Sequence, residues 1–456
     1  MTMDDIDGVP VPQRYWAILT IALGLVMAVL DGAIANVALP TIARDLAVSP
    51  AASIWVVNAY QLAITVSLLP LAALGDILGY RRVYRTGLVV FTLASLACAR
   101  SDSLTMLALA RVAQGFGASG IMSVNTALIR FIYPRRMLGT AMGINAMLVA
   151  VSSAIGPTLA SGILSVASWQ FLFYVNVPIG VAALGLGIRN LPDTGRAAHR
   201  FDAISAVLSA VTFGVMIVGV DGLGQGENKL WVAVELLFAG CAGFLLVKRQ
   251  LLRTHPLFPV DLLRIPIFGL SIATSICSFA AQMLAYVSLP FYLQNVLGRT
   301  QVETGLLMTP WPLTIAVIAP IAGRLVERFS AGLLGAIGLF SMATGLLLLA
   351  FLPIQPSAAD IGWRLAMCGF GFGLFQTPNN RAMIGASPPS RSGAAGGMLA
   401  TARLLGQTLG AALVAVLFGL LPSNGTTVTL LVAAGFAVTA AGVSLLRLRP
   451  AASAQS

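Results

Sequence analysis

VLDGAIANVALP, Val29 to Pro40, places a carboxylate, Asp31, at the end of a run that otherwise reads as oil-soluble. The sixteen residues before Asp31, YWAILTIALGLVMAVL from Tyr15, carry no charge at all. Twenty apolar residues in an α-helix span a hydrocarbon core of about 30 Å. An acid inside such a helix costs roughly 3 kcal/mol or more unless something compensates it. Whether the stretch is a membrane helix, and what the acid does there, sets the reading of the whole chain.

Composition settles the solvent. Of 456 residues, 58% are hydrophobic and 9% charged, and the mean hydropathy is +0.90. A soluble domain carries about 25% charged residues, so the chain is expected to sit in lipid. Its 46 glycines and 23 prolines suit closely packed membrane helices. The net charge of +11 would suggest a nucleic-acid partner in a soluble protein. Here the basic residues fall between apolar runs, which points to membrane topology instead. The cysteines Cys98, Cys241, Cys277 and Cys368 lie in separate apolar runs without a CxxC pair, and read as small core residues. Both histidines, His199 and His255, fall in connecting loops, so no His-based metal site is expected. The beginning, MTMDDIDGVPVPQR, is acidic and lacks the basic start of a cleaved signal, so the first apolar run reads as a retained helix.

Fourteen apolar runs are long enough to span: 15–38, 53–75, 83–99, 104–129, 138–164, 168–188, 203–222, 230–247, 266–292, 303–323, 331–353, 360–384, 395–420 and 426–446. The loops between them are too short for a catalytic domain. With the N-terminus inside, twenty of the 27 lysines and arginines lie in inside loops and five outside, while Arg111 and Arg403 lie within spans. The positive-inside rule chooses that orientation, and an even span count puts both termini in the cytoplasm.

The chain also repeats itself. ARVAQGFGASGIMSVNTALI from Ala110 and WRLAMCGFGFGLFQTPNNRAM from Trp363 each run arginine, glycine-rich segment, polar patch. GDILGYRRV from Gly75 and GRLVERFSA from Gly323 each join an acid to arginines after a span. Spans 2–4 therefore resemble spans 10–12. This predicts two six-helix halves with spans 7 and 8 inserted between them, a transporter architecture whose binding site lies between the halves. The division is 1–14, tail; 15–190, first bundle; 191–250, linker and two extra helices; 251–447, second bundle; 448–456, tail.

These motifs resemble the major facilitator superfamily, and within it the fourteen-helix drug:proton antiporter class, the EmrB/QacA-type exporters. LDGAIANVALP resembles that class's first-helix motif, GDILGYRRV the superfamily's helix 2–3 loop, and ARVAQGFGA its fourth-helix motif. SSAIGPTLASG resembles the antiporter motif of helix five, and WQFLFYVNVPIG the start of helix six. Departures occur at Ala72, Ile77 and Tyr80 in the loop and at Ala160 and Ser161 in helix five. They imply a weaker latch and looser helix-five packing. The resemblance implies an all-α integral membrane fold and a proton-coupled exporter of drug-like compounds in a bacterial inner membrane, working by alternating access. It implies no cofactor beyond the proton motive force, a monomer in the lipid bilayer, a small-molecule substrate and no nucleic acid. A periplasmic adaptor protein is a candidate partner. The alternative is a proton-coupled transporter of a specific metabolite or siderophore. A channel or membrane enzyme is disfavoured, since no TVGYG-like filter, HExxH or well-placed Ser/His/Asp set occurs.

Asp31 lies nine residues from Pro40, about 13 Å deep, and Arg111 about 10 Å from the outer end of span 4. Similar depth makes them candidate proton-coupling partners, because desolvation penalises the charged acid. A permanent structural pair is the competing reading. One carboxylate in a broad apolar cavity suits lipophilic cations. Asp76, Gly79, Arg81 and Arg82 form a candidate conformational latch, with Glu327 and Arg328 as a second copy. Gly156 and Pro157 mark a hinge or a sealed helix pair. Gln61, Asn125, Asn145, Gln376, Asn379, Asn380 and Arg403 are polar side chains that line a substrate path or bond between helices. For Arg403, satisfaction by helix-end carbonyls is the favoured reading. Asp221 and Glu235 are read as solvated at the membrane interface.

Overall fold

The structure is a computed structural model that describes residues 8–134, 137–195, 201–225, 228–253, 256, 258–353, 355–388, 391–421 and 424–448. Arg135, Arg136, Arg196, Arg200 and Arg449, counted above among the inside basic residues, lie outside the described residues. So do His199, His255 and the outer parts of both tails.

Proline and hydroxyl caps set many of the helix starts. The first half comprises α1 (Val11–Asp45), α2 (Pro50–Ser53) leading into α3 (Trp55–Leu78), α4 (Tyr80–Ala99), α5 (Leu104–Ile132), α6 (Leu138–Val166), and α7 (Phe171–Tyr174) leading into α8 (Asn176–Asn190). Then come α9 (Ala203–Gln225) and α10 (Lys229–Leu251). The second half comprises α11 (Pro266–Phe291), α12 (Gln301–Met308) leading into α13 (Pro310–Leu325), α14 (Ala331–Ala350), α15 (Ala358–Gly385), α16 (Ser392–Leu420) and α17 (Gly425–Leu446). Pro50, Pro266 and Pro310 stand in the first turn of their helices, where a missing N–H costs nothing. Ser103, Ser330 and Ser357 accept from backbone amides at their helix starts, and Thr300 and Glu303 form a reciprocal capping box.

Among the described residues, thirteen segments are long and apolar enough to cross a membrane. The fourteenth crossing is α15, 28 residues long, whose Asp360, Arg364 and Arg381 dilute its apolarity. It nonetheless packs along α13 and α14 as its counterpart α5 packs along α3 and α4.

The repeat read in the sequence is a repeat of packing. A Cβ added to Gly115 would come within 2.6 Å of the Tyr60 carbonyl on α3, and one on Gly117 within 2.4 Å of the Phe91 amide on α4. A Cβ on Gly369 would meet the Trp311 carbonyl of α13 at 2.2 Å, and one on Gly371 the Gly338 carbonyl of α14 at 2.3 Å. The glycine-rich segments of the fourth and twelfth crossings thus let each helix pack directly on the two crossings before it.

The inserted pair is asymmetric. α10 packs on α9 with little else beneath it, while α9 packs on both α16 and α3 and so bridges the halves. Two readings are corrected here. Asp221 is 4% exposed rather than interfacial, and accepts from Trp55 Nε1 at 2.8 Å, tying α9 to α3. Glu235 is half-buried beside Gly219, and its Oε2 is buried with no hydrogen-bond partner among the described residues. Both acids lie inside helices that begin or end beyond them. Cys241 is exposed because it lies on the uncovered side of α10, whereas Cys98 and Cys368 are buried as expected.

Hydrogen bonds between the halves gather toward the face opposite the one where α1 begins and α17 ends. Gln294 Nε2 donates to the Val37 carbonyl at 3.2 Å, and Gln301 Nε2 to Thr41 Oγ1 at 2.7 Å. Ser161 Oγ donates to the Gln301 carbonyl at 3.0 Å, and the Thr158 and Thr309 hydroxyls lie 2.7 Å apart. Deeper in, Thr65 of α3 and Thr408 of α16 share a hydrogen bond at 3.2 Å. The halves are therefore sealed on the far face.

Candidate functional site: a buried carboxylate network

Asp31 of α1 and Arg111 of α5 form an ion pair, at 4% and 0% exposure. Arg111 and Gln114 lie one turn apart on the same face of α5. Arg111 Nη1 donates to Asp31 Oδ2 and, at 2.8 Å, to Gln114 Oε1, while its Nε donates to the Val56 carbonyl of α3 at 2.9 Å. Gln114 Nε2 donates to Asp31 Oδ1 at 2.8 Å and to Ser95 Oγ of α4 at 2.9 Å. Asn176 Nδ2, at the start of α8, donates to Asp31 Oδ1 at 2.9 Å. The guanidinium lies over the Tyr60 ring, 4.0 Å from its centroid, with Phe173 at 5.6 Å. The five crossings α1, α3, α4, α5 and α8 thus converge on one carboxylate, all within the first half.

This shell fits the ionised acid. Every group around Asp31 donates, so the carboxylate needs no proton of its own. Oδ1 accepts from Gln114 and Asn176 and Oδ2 from Arg111, so three of the carboxylate's four lone-pair positions are engaged. Removing one partner of a buried pair costs about 3–5 kcal/mol, because the other charge is left uncompensated. Neutralising the acid would therefore leave the Arg111 guanidinium without its counter-charge.

The expected latch bonds within the first half and to Thr194 of the linker. Gly79 has φ +96°, a turn conformation that side chains with a Cβ resist. Tyr80 donates from its hydroxyl to Asp76 Oδ1 at 2.5 Å. The Tyr80 amide donates to Thr194 Oγ1 at 3.0 Å, and Arg81 Nη2 to the Ile188 carbonyl at 3.0 Å. Arg82 is exposed. Among the described residues none of these groups bonds to the second half. The second copy pairs Glu327 with Arg381 at 4.0 Å, both largely exposed.

Helix five is tight, not loose. Gly156 faces Ala33 of α1, where a Cβ would meet its Cβ at 2.6 Å. A Cβ on Gly305 would fall 1.6 Å from Ser161 Oγ and 2.4 Å from the Pro157 carbonyl. Ser161 supplies a hydroxyl to the seam, and α6 continues through Pro157 as a sealed helix contact.

The polar candidates divide. Asn125 Nδ2 donates to Asn145 Oδ1 at 2.7 Å, joining α5 to α6. Asn379 is fully engaged: its Nδ2 donates to Ser275 Oγ at 2.8 Å, and its Oδ1 accepts from Arg447 Nη1 at 2.6 Å. These three bond between helices. Gln61 is buried on α3, and Gln376 and Asn380 are half-buried on α15. For Arg403 the expected carbonyl partners are missing: among the described residues nothing bonds to its guanidinium, and its Nε is buried without a partner.

Sequence reasoning found the pair but missed Gln114, Asn176 and Ser95. Gln114 was visible as a polar residue three positions from Arg111, and Asn176 as the polar residue inside VNVPIG.

The family model described as Major Facilitator Superfamily matches residues 21–411. The chain is 61% identical to the "Uncharacterized transporter YebQ" of Escherichia coli (strain K12), over 97% of each chain. It is 33% identical to the "Multidrug resistance protein Stp" of Mycobacterium tuberculosis (strain CDC 1551 / Oshkosh), over 85% of this chain and 73% of that one. The crystal structure of a POT family transporter in complex with a thioalcohol-conjugated peptide superposes with TM-score 0.71 at 15% identity, covering 95% of both chains, which supports the fold.

Proposed function

Since the chain belongs to the major facilitator superfamily and is a membrane transporter rather than an enzyme, we propose that it is a proton-coupled exporter of amphipathic, drug-like compounds. It works by alternating access between its two six-helix halves and draws on the proton motive force with no bound cofactor. The face where α1 begins and α17 ends is cytoplasmic, in accord with the basic loops, and the membrane is a bacterial inner membrane. The bundles fall within 15–190 and 251–447.

The carrying observation is that Asp31 shares α1 with the far-face seal. Val37 and Thr41, which accept from Gln294 and Gln301 of the other half, lie six and ten residues beyond Asp31. At 1.5 Å per residue these are about 9 and 15 Å along the helix. Protonating Asp31 loosens the network that fixes α1 against α5 and α8, and so favours movement of α1 and release of the seal. A proton couples to transport only if it binds the two facing states differently. The pair with Arg111 is where that difference would arise, because neutralising Asp31 removes the attraction that holds the guanidinium. The similarity to a multidrug resistance protein supports export of drug-like compounds.

The test is an efflux panel of dyes, biguanides, quaternary ammonium compounds and antibiotics in a pump-deficient bacterial host. Raised resistance to at least one class, lost in Asp31→Asn with equal membrane abundance, supports the reading. An unchanged profile for every compound favours the metabolite transporter instead.

A further inference from the structure

Asp31 was expected to draw lipophilic cations, but its charge is neutralised by Arg111 and sealed inside the first half. Arg403 is in the opposite condition. It is the twelfth residue of the 29-residue α16, near the middle of that crossing. It is half-buried, and among the described residues no hydrogen bond or ion pair reaches it.

Its surroundings place it at the seam. On α16, Leu404 joins the apolar cluster of the first half and Ala400 packs against it. A Cβ on Gly397 would meet Leu69 of α3 at 3.0 Å, and Thr408 bonds to Thr65. That face of α16 covers α3. Gly406 and Gly410 face the other way, against Ala280 of α11. Arg403 and Gln407, one turn apart and both half-buried, share the strip between those two faces. Because α16 packs on α3 of one half and on α11 of the other, the strip lies at the boundary between the halves, where an alternating-access transporter holds its cargo.

We propose that Arg403 recognises the substrate, and that the substrate is an amphipathic anion: a carboxylate or related oxyanion on an apolar body. The proposal rests on the export reading and names its cargo class. An arginine in a membrane span is costly unless paired. Its planar fork of donors matches a carboxylate bidentately. A cationic substrate at the same place meets like charge in a low dielectric. Gln407 adds an amide on the same strip for a neighbouring polar group. The apolar remainder of the cargo lies against the alkyl side chains of the seam.

The test measures binding to the purified full chain in nanodiscs. The probes are pyrenebutyrate, its methyl ester and tetraphenylphosphonium, each titrated against wild type, Arg403→Gln and Arg403→Lys. The expected result is that wild type binds the acid about tenfold or more tighter than the ester, as for loss of a charged hydrogen bond. Arg403→Gln then binds acid and ester equally, and Arg403→Lys keeps a reduced preference for the acid. Tighter binding of the phosphonium or ester than of the acid by wild type overturns the proposal, as does an acid preference that survives in Arg403→Gln. Absence of binding by all three probes counts against it too. If Arg403→Gln fails to fold, the wild-type order of the three probes still decides. Binding selectivity is independent of proton coupling, so failure here leaves the export reading standing, and failure of the Asp31→Asn efflux test leaves the selectivity result intact.

Discussion

Asp31 and Val37 lie six residues apart on α1, yet they answer to different halves of the molecule. Asp31 is held by Arg111, Gln114 and Asn176 of the first half, and the Val37 carbonyl accepts from Gln294 of the second. One helix thus links the buried acid to the seal between the halves, and the mechanism proposed above follows from that shared backbone.

Gln114→Leu removes one donor to Asp31 and the amide that orients Arg111. The expected cost is about 1–3 kcal/mol of stability for buried polar groups left unpaired. Transport persists at a reduced rate with an altered pH profile, because Asp31 keeps Arg111 and Asn176. Thermal unfolding and transport at several pH values check this. A wild-type pH profile in Gln114→Leu would show that the shell does not govern protonation.

Gly305→Ala puts a methyl group where Ser161 Oγ and the Pro157 carbonyl already stand. The clash crosses the seam, so it opposes closure more than folding of either half. Spin labels at the exposed Ala47 and Val296 should report a longer far-face distance than in a wild-type background, and transport should fall at least about tenfold, the equivalent of 1.4 kcal/mol. Unchanged distances would mean that α6 and α12 relax around the methyl group.

Asp202, just ahead of α9, accepts from Ser205 Oγ at 2.7 Å and from Arg249 Nη2 at 2.9 Å, with Arg253 at 3.5 Å. Burial pushes its carboxyl up, but the hydrogen bonds from Arg249 and Ser205 outweigh that and hold it below the ordinary carboxylate range. A depressed value in the folded state adds stability above the unfolded value of about 3.9, and the gain is lost as pH falls through the lower folded one. The gap in melting temperature between wild type and Asp202→Asn should be constant from about pH 7 to 5 and close only below about pH 4. A gap that does not narrow on acidification would assign the tie to packing rather than charge.

Much of this was legible in the sequence, and the reasons are physical. Apolar run length fixes crossings because lipid leaves the backbone no other partner, so even α15, diluted by Arg364 and Arg381, was countable. The pairing of Asp31 with Arg111 was readable because two charges at similar depth in lipid must find each other. The fates of the uncharged amides were not readable. Asn379 bonds to Ser275 and Arg447, on helices distant in sequence, while Gln61 does not announce its neighbours. Asp221 was misplaced because the helix runs three residues past the expected end, and Glu235 because span length does not say which face of a helix its neighbour covers. The tight seam at Ser161 was hidden because a departure from the family motif does not reveal that Gly305 on the opposing helix supplies the space.

The central claim is that Asp31 carries the coupling proton, and proteoliposomes under an imposed pH gradient test it most directly. Wild type and Asp31→Asn, reconstituted at equal density with a substrate identified by the efflux panel, are compared for uptake against its concentration gradient. Wild type is expected to concentrate the substrate in proportion to the pH gradient, while Asp31→Asn at most equilibrates it and ignores the gradient. Asp31→Asn liposomes that still concentrate substrate with the wild-type dependence on pH would show that the coupling proton binds elsewhere.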